Sequence, residues 1–225
     1  FNDINWYATP RRLSLLITDL DITQKDKEHQ RRGPSLSVAF DNNENPTQAT
    51  VGFAKSCGVE VKELEKLESG KGAWLVFNTI LKGKKTNEII PGLVEKSLKR
   101  LPIAKRMRWG NYNIEFVRPI KWMLILFGNK ALNCEILGIK SVATSFGHRY
   151  HHPDALEIKS PSEYSNILRK EGHVIVDYNE RLSLIQSQIF SVAKNNKGNA
   201  IIDPGLLDEV ASLVEWPISF IGNFD

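Results

Sequence analysis

An α+β fold, a mixed sheet with packed helices, follows from three observations on the 225-residue chain. Apolar runs of strand type and apolar stripes of helical period occur side by side, they do not alternate regularly, and the gaps between them are long. That pattern argues against a doubly wound parallel sheet. A hydrophobic content of 41% with 25% charged residues is enough to build a core.

The elements are justified in order. Within "WYATPRRLSLLITDL" (6–20) a β-rich apolar run leaves a turn at Pro10 and reads as a strand. Residues 21–45 are polar, and "DKEHQRRGPS" reads as an exposed loop. Asn45, Pro46 and Gln48 suit the cap, first and third positions of a helix that carries Phe53 and Ala54 and stops at Gly58. "AWLVFNTIL" is a strand closed by the basic turn "KGKK". Thr86 then caps a helix whose Ile89, Ile90, Leu93, Leu98 and Leu101 recur at helical spacing, ending before Pro102. "IKWMLILFG" and "ALNCEILG" flank "NK" and predict a hairpin. Ser160, Pro161 and Glu163 form a capping-box signature for a short helix ending near Gly172, and "HVIVD" is a short strand. Asp177 caps a long helix with a Leu182, Ile185, Ile189, Val192 stripe, followed by the linker-like "KNNKGN". Asp203 and Pro204 start a last helix that stops near Trp216. A weak boundary near residue 140 divides the chain into an N-terminal α+β lobe, 1–140, and a second α+β lobe, 141–225.

Charge is uneven along the chain. The net charge is +4, yet Arg100–Lys121 holds six cations against the single acid Glu115, while Gly198–Asp225 holds five acids and no Lys or Arg. One part is fitted to face a polyanion and the other is not. The longest uninterrupted apolar run, Trp122–Phe127, is far too short to span a bilayer, so no membrane partner is expected. The first residues have no signal-peptide pattern, and Cys57 and Cys134, far apart and without a CxxC, fit buried reduced thiols of a cytoplasmic protein. An opening without Met and a close straight after an apolar run read as a fragment of something longer.

"KRMRWGNYNIEFVRPIKW" (105–122) sets five cations beside large aromatics. Arginines grip phosphate bidentately, and Trp109 or Tyr112 could stack on an unpaired base. A solvated surface is the competing reading, with Trp122 and Trp216 serving as core anchors. The pairs Arg11–Arg12 and Arg31–Arg32 flank turns and extend the basic set. In "GHRYHHP" (147–153), His148, His151 and His152 are too few and too close in sequence to complete a tetrahedral zinc site, so His148 and Arg149 read as a polar corner. Glu209 and Glu215 lie six apart on the expected last helix and point to different faces, against acid and base work. With no GxxxxGK[ST], GxGxxG or GxSxG, no catalytic, metal or cofactor site is expected in the chain itself.

Seven stretches taken in order carry a family resemblance: "ATPRRL" (8–13), "RRGPS" (31–35), "MRWG" (107–110), "FVRPIKW" (116–122), "GHRYHHP" (147–153), "VIVDYNERL" (174–182) and "LLDEVASLVEWP" (206–217). Together they resemble the N-terminal part of the β subunit of bacterial heterotetrameric glycyl-tRNA synthetases, a subunit that extends past this chain at both ends. The resemblance implies a share in ATP-dependent glycylation of tRNA(Gly), with ATP and Mg used by the full complex and the aminoacylation site in the α subunit. It implies tRNA(Gly), the α subunit and the rest of the β subunit as partners. It also implies a likeness to the B3/B4 domain of the phenylalanyl-tRNA synthetase β subunit. Editing residues are not carried over, because a pocket for glycine excludes larger amino acids by size alone. On this reading Arg106, Arg108 and Arg118 lead the RNA-contact candidates, followed by Lys105, Arg11, Arg12, Arg31, Arg32, Arg149 and His148. An editing-like hydrolase using His148 or another polar residue and a purely structural docking module are the alternatives.

Overall fold

Pro10 and Arg11 turn the chain back on itself. The result is an antiparallel hairpin in which β1 (Asp3–Thr9) pairs with β2 (Arg12–Thr18), Asp3 opposite Thr18 and Thr9 opposite Arg12. The computed structural model describes residues 1–70, 72–111 and 113–222. They fall into two units, Phe1–Asp21 with Asn87–Asp225, and the inserted Ile22–Thr86. The division near residue 140 read from the sequence falls inside the first of these.

The inserted unit is a three-stranded antiparallel sheet with two helices. Strand β3 (Lys27–Ser35) occupies the stretch expected to be a loop. Its polar sequence hides it, but the long ladder to β5 (Gly72–Leu81) satisfies its backbone, and β4 (Glu65–Ser69) pairs on the other side of β5. Between β3 and β4 lie the single turn α1 (Leu36–Ala39) and α2 (Gln48–Cys57). The N-cap of α2 is Thr47, two residues later than the sequence signals. Thr47 also ties the helix start to the buried Ala39 carbonyl, which takes the Thr50 hydroxyl at 2.7 Å. Gly58 closes α2 with φ 75°, a left-handed cap that a side chain would strain. Leu75 and Val76 of β5 are buried with Ala39 and Ala54.

Helix α3 (Thr86–Arg100) leads back into the first unit. There β6 (Met107–Arg108) pairs with β7 (Glu115–Phe116). The long hairpin expected over 120–138 is broken into two small ones, β8 (Leu126–Phe127) with β9 (Lys130–Ala131), and β10 (Glu135–Ile136) with β11 (Ile139–Lys140). Each turns through a left-handed glycine, Gly128 and Gly138. Strand β12 (Thr144–Phe146) pairs with β13 (Ala155–Glu157). A 3-10 turn, Pro161–Glu163, then leads into α4 (Tyr164–Lys170), and α5 (Tyr178–Asn195) and α6 (Pro204–Leu213) follow. Ser160 bonds Ser162 and caps nothing, whereas Asp177 and Asp203 accept from Glu180 N and Leu206 N as the sequence signals require.

Two apolar clusters hold this unit. Leu156, Leu168, Val174 and Val176 pack with Tyr7 and Tyr164, while Ile185, Leu207 and Ala211 pack with Leu182 and Ile189 between α5 and α6. Burying side chains of this size stabilises by about 1.5–3 kcal/mol each. "HVIVD" is buried but forms no strand, because Val174 N goes to Leu168 O and Ile175 N to Glu215 O instead of a ladder. The architecture is mixed α/β, made of small antiparallel sheets and helices. Among the described residues no helix is long and apolar enough to cross a membrane.

Candidate nucleic-acid interface

The basic segment starts where α3 ends. Arg106 folds back and donates to the carbonyls of Lys99, at 2.9 Å, and Leu101, at 3.4 Å, the open acceptors of a helix C-terminus. It therefore anchors the segment to the helix. Arg108 Nε meets Glu115 at 2.6 Å across the β6–β7 pair, with both side chains largely exposed. An ion pair so exposed stabilises by about 0–1 kcal/mol, and an incoming phosphate can replace the carboxylate at little cost. Lys105 and Arg118 lie two residues beyond the Met107–Phe116 pair, at the open end of the same hairpin. With Lys121 they are exposed and make no hydrogen bond or ion pair to another described residue. Trp109 is half-buried, and Tyr112 lies outside the described residues.

Arg12 sits in a different environment. Only 7% exposed, it pairs through Nη1 with Glu215, itself 6% exposed, and donates through Nη2 to the carbonyls of Phe146 and Gly147. Burial pushes its pKa down, opposed by the Glu215 carboxylate. Arg11 reaches the same carboxylate at 3.3 Å and the Gly147 carbonyl at 2.6 Å, and Thr9 Oγ1 donates to Glu215 at 2.7 Å. Both guanidinium groups lie over the Trp122 ring, at 5.9 and 5.6 Å, and Trp122 packs on Phe146 at 5.2 Å. Gly147 has no room for a side chain here, since a Cβ would lie 2.4 Å from the His152 carbonyl.

Arg181 supports this node from behind. It is 1% exposed and spends its guanidinium on the carbonyls of Ala211, Ile175, Val176 and Ala8, at 2.7–3.1 Å. Burial lowers its pKa, offset by Glu215 and Asp177. The node thus draws on "ATPRRL", "FVRPIKW", "GHRYHHP", "VIVDYNERL" and the "EWP" end of the last stretch, five of the seven stretches that carry the resemblance. Glu215 belongs to it because α6 stops at Leu213, which frees the residue from the helix and aims it inward. Glu209 stays exposed.

The histidine loop lies beside the node. His148 N donates to Gly172 O at 2.6 Å, and its Nδ1 accepts from the amides of Tyr150 and His151. Ring centres step from His148 to His151 at 4.5 Å, to His173 at 5.8 Å and to Trp216 at 5.3 Å. Burial, then neighbouring His151, hold His148 below its ordinary pKa. Among the described residues no group of three or more His, Cys, Asp or Glu is placed to hold a metal ion. Arg149 is exposed over the Tyr150 ring. In the inserted unit, Arg31 donates to Ser56, and Arg32 stacks 3.4 Å over Trp74. Cys57 and Cys134 are free and half-buried, more open than expected, and burial raises the Cys134 thiol.

Sequence reasoning missed Arg181, and it weighed Glu215 only as half of a carboxylate pair on the last helix. A signal for the first was present: Arg181 is three after Tyr178 and four before Ile185, on the inward stripe of α5, where a cation must be internally satisfied.

Fold and site together define a mixed α/β module built on buried arginines, with a separate exposed basic segment. A family model described as glycyl-tRNA synthetase beta subunit matches residues 1–225, the whole chain. The chain is 48% identical over 225 residues to the glycine–tRNA ligase beta subunit of Hahella chejuensis, covering 100% of this chain and 32% of that protein. It is 45% identical over 226 residues to that of Marinobacter nauticus, covering 100% and 33%. It is 44% identical over 220 residues to that of Pseudomonas aeruginosa, covering 98% and 31%. The chain belongs to the glycyl-tRNA synthetase beta subunit family. It spans about a third of the length of these relatives.

Proposed function

We propose that this chain contributes tRNA(Gly) binding and subunit architecture to ATP-dependent glycylation, with the aminoacylation site in a partner α subunit and ATP and Mg engaged there. On this reading the complex is cytoplasmic, and the larger unit is related to the B3/B4-like module, which its small antiparallel sheets and packed helices support. The observation that carries the tRNA contact is the β6–β7 hairpin. Its open end presents Lys105 and Arg118 without acidic partners among the described residues, Lys121 follows, and the one acid in the segment is held by Arg108. Cations left free in this way neutralise phosphates and release counterions. Arg106 serves by anchoring the segment, and Arg12 by holding the node, whereas Arg11, Arg31, Arg32, Arg149 and His148 are placed at edges where a further phosphate contact is open to test.

Replacing Lys105, Arg118 and Lys121 by Ala together in the assembled enzyme should weaken tRNA binding whatever the tRNA sequence. It should also lower the slope of log affinity against log salt by about 2 to 3, at roughly 0.7 to 0.9 for each lost contact. Glycine activation without tRNA should not change. An unchanged salt slope would overturn the proposal.

A further inference from the structure

The β1–β2 hairpin is built with its faces reversed. Its inner face is largely polar: Arg12 and Thr9 bond Glu215, Ser14 shares a 2.8 Å hydrogen bond with the Tyr164 hydroxyl, and Tyr7 packs beside Tyr164. Its outer face holds Ile4, Trp6, Leu13, Leu15 and Ile17, in the cross-strand pairs Ile4–Ile17 and Trp6–Leu15. Trp6, Leu13 and Leu15 are 56%, 61% and 67% exposed. A strand with one solvated face puts polar residues outward, because a one-residue change of register exchanges the two faces. Here the apolar set faces out while the register is fixed by bonds to a buried carboxylate. The outer face is therefore composed for burial too.

We propose that this face is an intrachain docking surface, covered in the full-length subunit by polypeptide of the same chain that lies outside residues 1–225. Relatives at 44–48% identity are about three times as long, so most of the subunit is available to cover it. The face carries no charge, so a polyanion gains nothing there, and an apolar cover is of the permanent kind. A segment tethered to the same chain meets the face at high effective concentration, before any assembly with other subunits. Left open, a two-stranded apolar ribbon that is joined by no third strand among the described residues would recruit other chains. The inference rests on membership of a longer subunit and not on the tRNA contact, so the salt experiment can fail while this one succeeds.

The test places the photoreactive residue p-benzoylphenylalanine at Leu15 in the full-length β subunit within the assembled enzyme. Crosslinks are mapped by mass spectrometry, and gel mobility separates links within one chain from links between chains. Links within one chain to residues outside 1–225 are expected. Links to a second copy, another protein or RNA, links confined to residues 1–225, or no link after complete photolysis would overturn it. As a second measurement, in a Leu15→Cys subunit with Cys57 and Cys134 changed to Ser, maleimide labelling should run at least about tenfold slower in the native subunit than after unfolding. Equal rates would overturn it as well.

Discussion

Removing the Glu215 carboxylate should destabilise the first unit more than any single change in the basic segment. In Glu215→Ala the Thr9 hydroxyl loses its acceptor and Arg11 turns to water, its side chain being 31% exposed already. Arg12 has no such exit. Its side chain is 2% exposed, its Nε has no hydrogen-bond partner among the described residues, and what remains there is the Phe146 and Gly147 carbonyls and the face of Trp122. Breaking a buried ion pair on one side costs about 3–5 kcal/mol, because the other charge stays buried and uncompensated. Native-state hydrogen exchange at the β2 amides in the full-length subunit reads this locally. Exchange through opening of this unit should speed up roughly a hundredfold to several thousandfold, at about 1.4 kcal/mol per decade. The double variant Arg12→Met with Glu215→Leu should recover most of the loss, since apolar replacement of both partners removes the stranded charge. A change below about 1 kcal/mol in Glu215→Ala, the value of an exposed pair, would mean that Arg12 is not left stranded by the loss of the carboxylate.

Further outcomes follow from the same structure. His148 holds its proton less tightly when folded, so the unfolded chain binds that proton first; stability is full above the ordinary His value of 6.5 and declines as pH falls from there towards the lowered folded value. Denaturant midpoints across that window should drop for the parent and flatten for His148→Asn. In the inserted unit, Gly83→Ala would put a Cβ 1.7 Å from the Gln24 backbone carbonyl, and unfolding measurements should show a loss of about 1–3 kcal/mol or more. Residues 1–225 alone should give glycine-dependent ATP–pyrophosphate exchange at background, and turnover above background would move the chemistry into this chain.

The helices were legible because their signals are local. Asp177 and Asp203 cap α5 and α6 through their own following amides, and the Ile185 and Ile189 stripe shows the period that packs them. Strand β3 was not, since "DKEHQRRGPS" has no apolar alternation and exists as a strand only through its ladder to β5. The site was legible in the same uneven way. Composition marks residues 105–121 as basic, but it does not separate Arg106, spent on α3 carbonyls, from Arg118, which has no described partner. Arg11 and Arg12 look alike in "ATPRRL", yet strand alternation and an acid 203 residues away make one buried and leave the other at the edge. That pairing is long-range, and no local pattern announces it.

The tRNA contact proposed for the basic segment is probed by a photoreactive residue in place of Arg118, in the assembled enzyme bound to end-labelled tRNA(Gly). A covalent protein–RNA product is expected, with a yield that falls as salt rises. Efficient crosslinking to protein alone, with no RNA product at low salt, would contradict it.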